Sequence, residues 1–272
     1  MKVIIAKHGC TIQWDGTYYF ALPNYPNISE WELKNLVLFV AYEKAYARET
    51  VIECENTSIK QLVDQALLHP ESVMSVQRPK TIPGHPDCAD CKQGYCHTDF
   101  LCHTASIENA RSILACGSIL SAVKARNMAG AELAIEKRNA AGDPPDYFDH
   151  VMFTWGNCQA GDRLVMERLL DRSPTPDDLS CGFQPGVRFF FRYDTVIQNS
   201  DAIFDGYHPV KVKDGISLDE YLFACVIPEN LKNQFESIIP RKLNNRVYYL
   251  KNDCSDIWSW SEKNFNFALD IL

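Results

Sequence analysis

Apolar and polar positions along this chain alternate and break in a way that predicts many short strands between a few amphipathic helices. The clearest stretch is FLCHTASIENARSILACGSILSA, from Phe100 to Ala122. Phe100, Leu101 and Cys102 are apolar and strand-compatible, and His103 and Thr104 end that run. Ser106 stands where a hydroxyl can accept the free N–H of Asn109, three residues into a helix. Ile107, Ala110, Ile113 and Leu114 then share one face at helical spacing, and Gly117 sits where a left-handed cap is expected. The start of such a helix presents free N–H groups and positive potential, which suits an anionic cofactor.

Upstream, Lys2 to Ala6 and Thr17 to Ala21 predict the two strands of a hairpin around Trp14-Asp15-Gly16. Ser29 with Glu32 three residues on is a capping box, followed by apolar Trp31, Leu33, Leu36, Val37 and Val40. Thr50 to Glu55 alternates like a strand, and Ser58 to Leu68 places Ile59, Leu62, Val63 and Ala66 on one helical face. Residues 1–76 thus read as a small α+β unit whose charged Glu43, Arg48, Glu53 and Glu55 belong to solvated faces.

Downstream, Ala131 to Lys137 predicts a short helix leading to Arg138 and broken by Gly142-Asp143-Pro144-Pro145. His150 to Trp155 reads as a strand, Arg163 to Leu170 as a helix, and Asp171 to Gly186 as a loop. VRFFFRY, Val187 to Tyr193, is a strand buried on both faces. Asp205-Gly206-Tyr207-His208 is a turn. Glu220 to Val226 is a strand headed by a carboxylate, and Arg246 to Leu250 is a last strand. The aromatic tail from Asp256 to Leu272 has a pattern that packs onto a body. Without βαβ alternation, residues 100–272 predict an α+β fold on a mixed, mostly antiparallel sheet.

Composition changes the picture at three points. The 272 residues are 46% hydrophobic and 23% charged, enough for a sizeable core in one or two domains. A net charge of −8 argues against broad, sequence-independent nucleic-acid binding. MKVIIAKHGC lacks a signal-peptide layout and no apolar run is long enough to span a bilayer, so no membrane partner and a cytoplasmic location are expected.

Between residues 77 and 99 the chain shifts to Pro, Gly, Asp and Cys and reads as a linker. Cys88, Cys91 and Cys96 in it and Cys102 just beyond follow one another at x2, x4 and x5, with His85 and His97 as substitute ligands. Four soft ligands in a short loop is how structural zinc is held, and ordinary reduced thiols are the alternative. No dinucleotide fingerprint, P-loop or nucleophile elbow occurs. A cysteine nucleophile, Cys10 or Cys158 served by His150 or His208, is a further option.

Three polar residues remain: His103 at a strand end, Arg138 before a break, and Glu220 at the head of an apolar strand. Their order resembles the ADP-ribosyltransferase superfamily, and within it the DarT-like toxins that modify DNA. The similarity runs through LCHTASIENARSILACGSILSA, IEKRNAAGDPPDYFDHVMF, AIFDGYHPV, DEYLFACVIPENL and RVYYL, spanning residues 100–250. It implies a split-sheet catalytic domain that transfers ADP-ribose from NAD to single-stranded DNA or a protein, releasing nicotinamide, with an antitoxin as a further partner. It also implies roles. Glu220 would stabilise the oxocarbenium-like transition state, and Arg138, with Arg126 as rival, would pair with the pyrophosphate or help the acceptor lose a proton. His103 would bond the nicotinamide ribose, and Thr104 and Asn109 would line the same pocket. Glu262 is a second carboxylate beyond the matched stretch. Where those toxins carry a basic Pro-Arg-Ser-Pro-Met segment this chain has TWGNCQAGDRL, so the acceptor stays open between DNA and protein. The alternative from another class is a non-enzymatic interaction protein stapled by zinc.

Overall fold

The computed structural model describes residues 1–7, 12–14, 16–22, 24–78, 100–135 and 143–272. The chain is α+β throughout. It divides into two compact units, Met1–Cys96 together with Phe204–His208, and His97–Ile203 together with Pro209–Leu272.

In the first unit, β1 (Lys2–Ala6), β2 (Ile12–Trp14), β3 (Thr17–Ala21) and β4 (Val51–Cys54) form a sheet in the order β2-β3-β1-β4. The expected hairpin of Lys2–Ala6 with Thr17–Ala21 is corrected: β1 runs parallel to β3, and β2 is the antiparallel partner across the turn. Trp14 pairs with Thr17, so only two residues close the turn, and the strand just before it takes the hairpin position. The two longer helices are α1 (Glu30–Ala45), opened by the expected Ser29–Glu32 capping box, and α2 (Thr57–Leu68), capped by Asn56. Leu33, Leu36, Val37 and Phe39 of α1 and Ile59, Val63 and Ala66 of α2 pack with Val3, Ile5, Tyr18 and Phe20 of the sheet. Glu43, read as solvated, is fully buried and takes a two-pronged bond from Arg48 at 2.7 and 3.0 Å, which explains how a carboxylate is tolerated there.

The segment Phe204–His208 docks into this unit through its glycine. Gly206 has φ +73°, and a Cβ there would meet the Asn35 carbonyl oxygen of α1 at 2.0 Å and the Phe39 nitrogen at 2.6 Å. Backbone cannot give way as a flexible side chain can. Gly206→Ala is therefore expected to lower stability by about 1–3 kcal/mol through strain and overpacking. A chemical denaturation midpoint equal to wild type would count against this docking.

The second unit is built on a five-stranded sheet, β14-β13-β9-β5-β8. Its strands are β5 (Phe100–Ala105), β8 (Thr154–Trp155), β9 (Val187–Arg192), β13 (Leu222–Pro228) and β14 (Val247–Leu250). Every neighbouring pair is antiparallel except β13 with β14. Two small antiparallel sheets accompany it, β10-β11-β7 and β12-β6, from β6 (Ser118–Leu120), β7 (His150–Met152), β10 (Ala202–Ile203), β11 (Lys211–Lys213) and β12 (Gly215–Ser217). The single strand expected over His150–Trp155 is thus split between two sheets. Phe153, fully buried and 5.2 Å from the ring of Phe191, marks where the chain changes sheet.

Helix α3 (Ile107–Cys116) follows β5 as expected, with Asn109 N–H donating to Ser106 Oγ and Gly117 left-handed at φ 73°. The longer helices α4 (Ala160–Leu170) and α5 (Ile257–Asp270) follow, with shorter helical segments between them. Along α5, Ile257, Trp260, Ser261, Asn264, Phe265 and Ala268 are buried at helical spacing, so the tail does pack onto the body. The sheet is apolar on both faces. Leu101, Ala105, Val187, Phe189 and Phe191 join the larger core, while Phe100, Cys102, Phe190, Ala224 and Val226 meet Phe265 and Ala268 of α5. VRFFFRY is accordingly a strand buried on both sides.

Candidate functional site

His103 lies within β5, not at its end, because the strand continues through Thr104 to Ala105 in register with β9. It stands opposite Phe189, on the face shared with Leu101 and Ala105. Its Nδ1 is 3.2 Å from the Met152 carbonyl. A carbonyl only accepts, so Nδ1 carries the proton and Nε2 keeps its lone pair. Burial lowers the ring's pKa below its ordinary value, the bond to Met152 opposes this, and Arg168 adds to the lowering. The result is a neutral imidazole of fixed tautomer.

The linkage has a definite sign. The unfolded chain takes up a proton at His103 near the ordinary value of about 6.5, whereas the folded ring resists to lower pH. The unfolded state therefore binds more protons as pH falls below that value, and stability is lost. His150, whose pKa is lowered by burial and whose Nδ1 lies 2.8 Å from the Asp146 carbonyl, acts in the same direction. His103→Gln is expected to melt with a smaller drop than wild type between pH 7.5 and 5.5, which paired thermal scans would read.

Arg168 of α4 is a residue that the sequence did not single out, because a charge on a helix reads as solvated. Its own pKa is lowered, first by burial and then by the nearby Arg126. Arg168 thus lies within electrostatic reach both of the neutral His103 and of Arg126. Arg138, the sequence choice, lies outside the described residues.

Thr104 faces away from His103, as successive strand positions must. A Cβ on Gly161 would meet its Oγ1 at 2.6 Å and one on Gly186 its Cγ2 at 2.7 Å, so Thr104 is wedged between α4 and the start of β9. It does not share a wall with His103. Asn109 is exposed at the third position of α3, with its backbone committed to the cap.

Glu220 is exposed on a single helical turn, Leu218–Tyr221, and β13 begins two residues later at Leu222. It does not head the strand as expected: the turn's Leu222 N–H donates to the Leu218 carbonyl, curling the chain before it extends. By register Leu222 is level with Phe191 and so with Leu101, whereas His103 is level with Phe189. Glu220 and His103 therefore sit toward opposite ends of strands separated by β9, whose Phe189 and Phe191 are fully buried. Two strand spacings, roughly 10 Å, separate β5 from β13. Glu262 is exposed on α5.

The same face of β5 as Thr104 carries a buried charge network. Arg188 of β9 bonds the Asp162 carboxylate at 2.6 and 3.2 Å, the Gly156 and Cys158 carbonyls at 3.0 and 2.7 Å, and Ser261 Oγ at 2.8 Å. Cys102 beside it is pushed up to about 11, chiefly by burial, with Arg188 opposing. Cys102, 1% exposed, packs in the core among Phe100, Phe190 and Phe265. Cys88, Cys91 and Cys96 lie outside the described residues, as does Cys10. Among the described residues no group of three or more His, Cys, Asp or Glu assembles for a metal. No described helix is long and apolar enough to cross a membrane. Compared with known families, characterised proteins and solved structures, the chain matches none.

Proposed function

We propose that this protein is an NAD-dependent ADP-ribosyltransferase, handing ADP-ribose to a macromolecular acceptor, a single-stranded DNA base or a protein. The reading rests on the ordered His, Arg and Glu segments of the sequence. The observation that carries it furthest is His103: its Nδ1 proton is spent on Met152, so Nε2 is a fixed acceptor for a sugar hydroxyl. Arg168 adds positive charge near that ring, to which an anionic pyrophosphate would be drawn.

In the reaction the bond between nicotinamide nitrogen and the anomeric ribose carbon breaks, and its electron pair leaves with nicotinamide. The acceptor's nucleophilic atom bonds to that carbon and gives up a proton. Glu220 supplies negative charge against the developing oxocarbenium. Because its turn is exposed and β9 stands between it and His103, closure of the two groups on one ribose requires movement of that turn.

The test is incubation with NAD labelled in the adenylate, together with single-stranded DNA or cell lysate. Transfer of label with nicotinamide release, lost in Glu220→Ala, is expected. No release, and a Glu220→Ala variant indistinguishable from wild type, would sink the reading.

A further inference from the structure

A one-turn helix cannot hold itself, since nucleation fixes several dihedrals for almost no internal hydrogen bonding. The turn Leu218–Tyr221 that carries Glu220 must be held from outside. Arg246, the last residue of the 3₁₀ segment Arg241–Arg246, reaches it with one guanidinium nitrogen. That nitrogen donates to the carbonyls of Asp219 at 2.9 Å, Leu222 at 3.1 Å and Leu218 at 3.4 Å. These carbonyls lie along and just past the turn, where the helix end is negative and a cation is most stabilising. Arg246 is itself fixed, because Val247 beside it begins β14 in register with Cys225 of β13. A second tie is electrostatic: Lys242 pairs with Asp219 at 2.9 Å, but both side chains are more than half exposed and contribute little.

The side chain of Glu220 has its own neighbour. The Tyr221 phenol, held above its ordinary pKa first by burial and then by its bond to the Glu220 carboxylate, also meets Asn199. Backbone and carboxylate are thus tied separately, the one to Arg246 and the other to the Asn199–Tyr221 pair.

We propose that Arg246 is the positioning residue for Glu220: by gathering the carbonyls of the Leu218–Leu222 turn it sets where that carboxylate points. The inference rests on the reading of Glu220 as the carboxylate of the transfer reaction. A guanidinium is suited to the task, since its planar donors can serve several oxygens at once.

The experiment uses Arg246→Met, Arg246→Lys and Glu220→Gln, with two readouts. The first is nicotinamide release. Arg246→Met should lower kcat by about 10²-fold with KM little changed, the loss expected of a misplaced group, and Arg246→Lys should recover part of it. The second is the titration of Tyr221, followed by labelling the tyrosine Cζ carbon. Its midpoint should move down in Arg246→Met, as it should in Glu220→Gln, and stay near wild type in Arg246→Lys. The remaining tyrosine signals report that each variant is folded.

The outcomes separate. A Tyr221 midpoint unchanged in folded Arg246→Met overturns the assignment whether or not NAD is consumed. A midpoint that falls in a protein whose wild type releases no nicotinamide overturns the transferase reading, and with it the catalytic sense of the positioning. If Arg246→Met fails to fold, Arg246→Lys decides: a kcat below wild type with KM little changed upholds the assignment, and a kcat equal to wild type overturns it.

Discussion

Glu220→Gln is expected to slow nicotinamide release by about 10²- to 10³-fold, the scale on which single electrostatic groups act in a transition state. The substitution removes a charge and keeps the shape. Glu220 is exposed, so stability should move by no more than about 0.5 kcal/mol, and a kinetic loss cannot be blamed on unfolding. The carboxylate acts on charge that develops only as the glycosidic bond breaks, so kcat should fall while KM for NAD stays near wild type. Glu262 provides the contrast. It too is an exposed carboxylate, but on α5 beyond the matched segments, and Glu262→Gln should release nicotinamide at the wild-type rate. Steady-state kinetics of the two variants side by side is the measurement. A silent Glu220→Gln with an impaired Glu262→Gln would transfer the role to α5.

The sequence was most legible where local chemistry and burial agreed. The Ser29–Glu32 capping box, the helix from Ile107 to Cys116, the doubly buried VRFFFRY strand and the aromatic tail all follow from spacing alone, and all stand where spacing puts them. It was least legible where pairing is non-local. Nothing within Lys2–Ala6 says that its neighbours will be parallel, because the competing strand Ile12–Trp14 is only three residues long. The split after Met152 depends on which sheet Val151 meets, a fact held by Val212 sixty-one positions away.

The site was partly legible. His103 and Glu220 are conspicuous by type, but their surroundings belong to other elements. The Met152 carbonyl fixes the histidine tautomer, and Arg246 gathers the glutamate's turn. Arg188 was missed altogether. In VRFFFRY its charge reads as an edge position, and only Asp162, twenty-six residues earlier, explains its complete burial.

Removing that arginine should produce the largest stability loss in the chain. Arg188→Met leaves the Asp162 carboxylate, the Gly156 and Cys158 carbonyls and Ser261 Oγ without their shared donor, at zero exposure for both charged partners. Breaking one side of a buried pair costs about 3–5 kcal/mol, because the remaining charge stays desolvated. The pH dependence of the loss identifies its cause. Burial raises the Asp162 pKa and the Arg188 guanidinium pulls it back. Without Arg188 burial is opposed only by backbone hydrogen bonds at Asp162 and Gly186, so a folded pKa already above the unfolded one rises further. Such a group is stabilising below the unfolded pKa and loses that contribution as pH climbs through the folded value. The deficit of Arg188→Met should therefore be largest at pH 7 and narrow toward pH 5, as the carboxyl becomes neutral. Denaturation curves of both proteins at the two pH values test this. An Arg188→Met/Asp162→Leu double variant should be more stable than Arg188→Met alone at pH 7, since it removes the stranded charge itself. A deficit independent of pH, unrelieved by the second substitution, would mean that the arginine acts through packing of its stem and not through its charge.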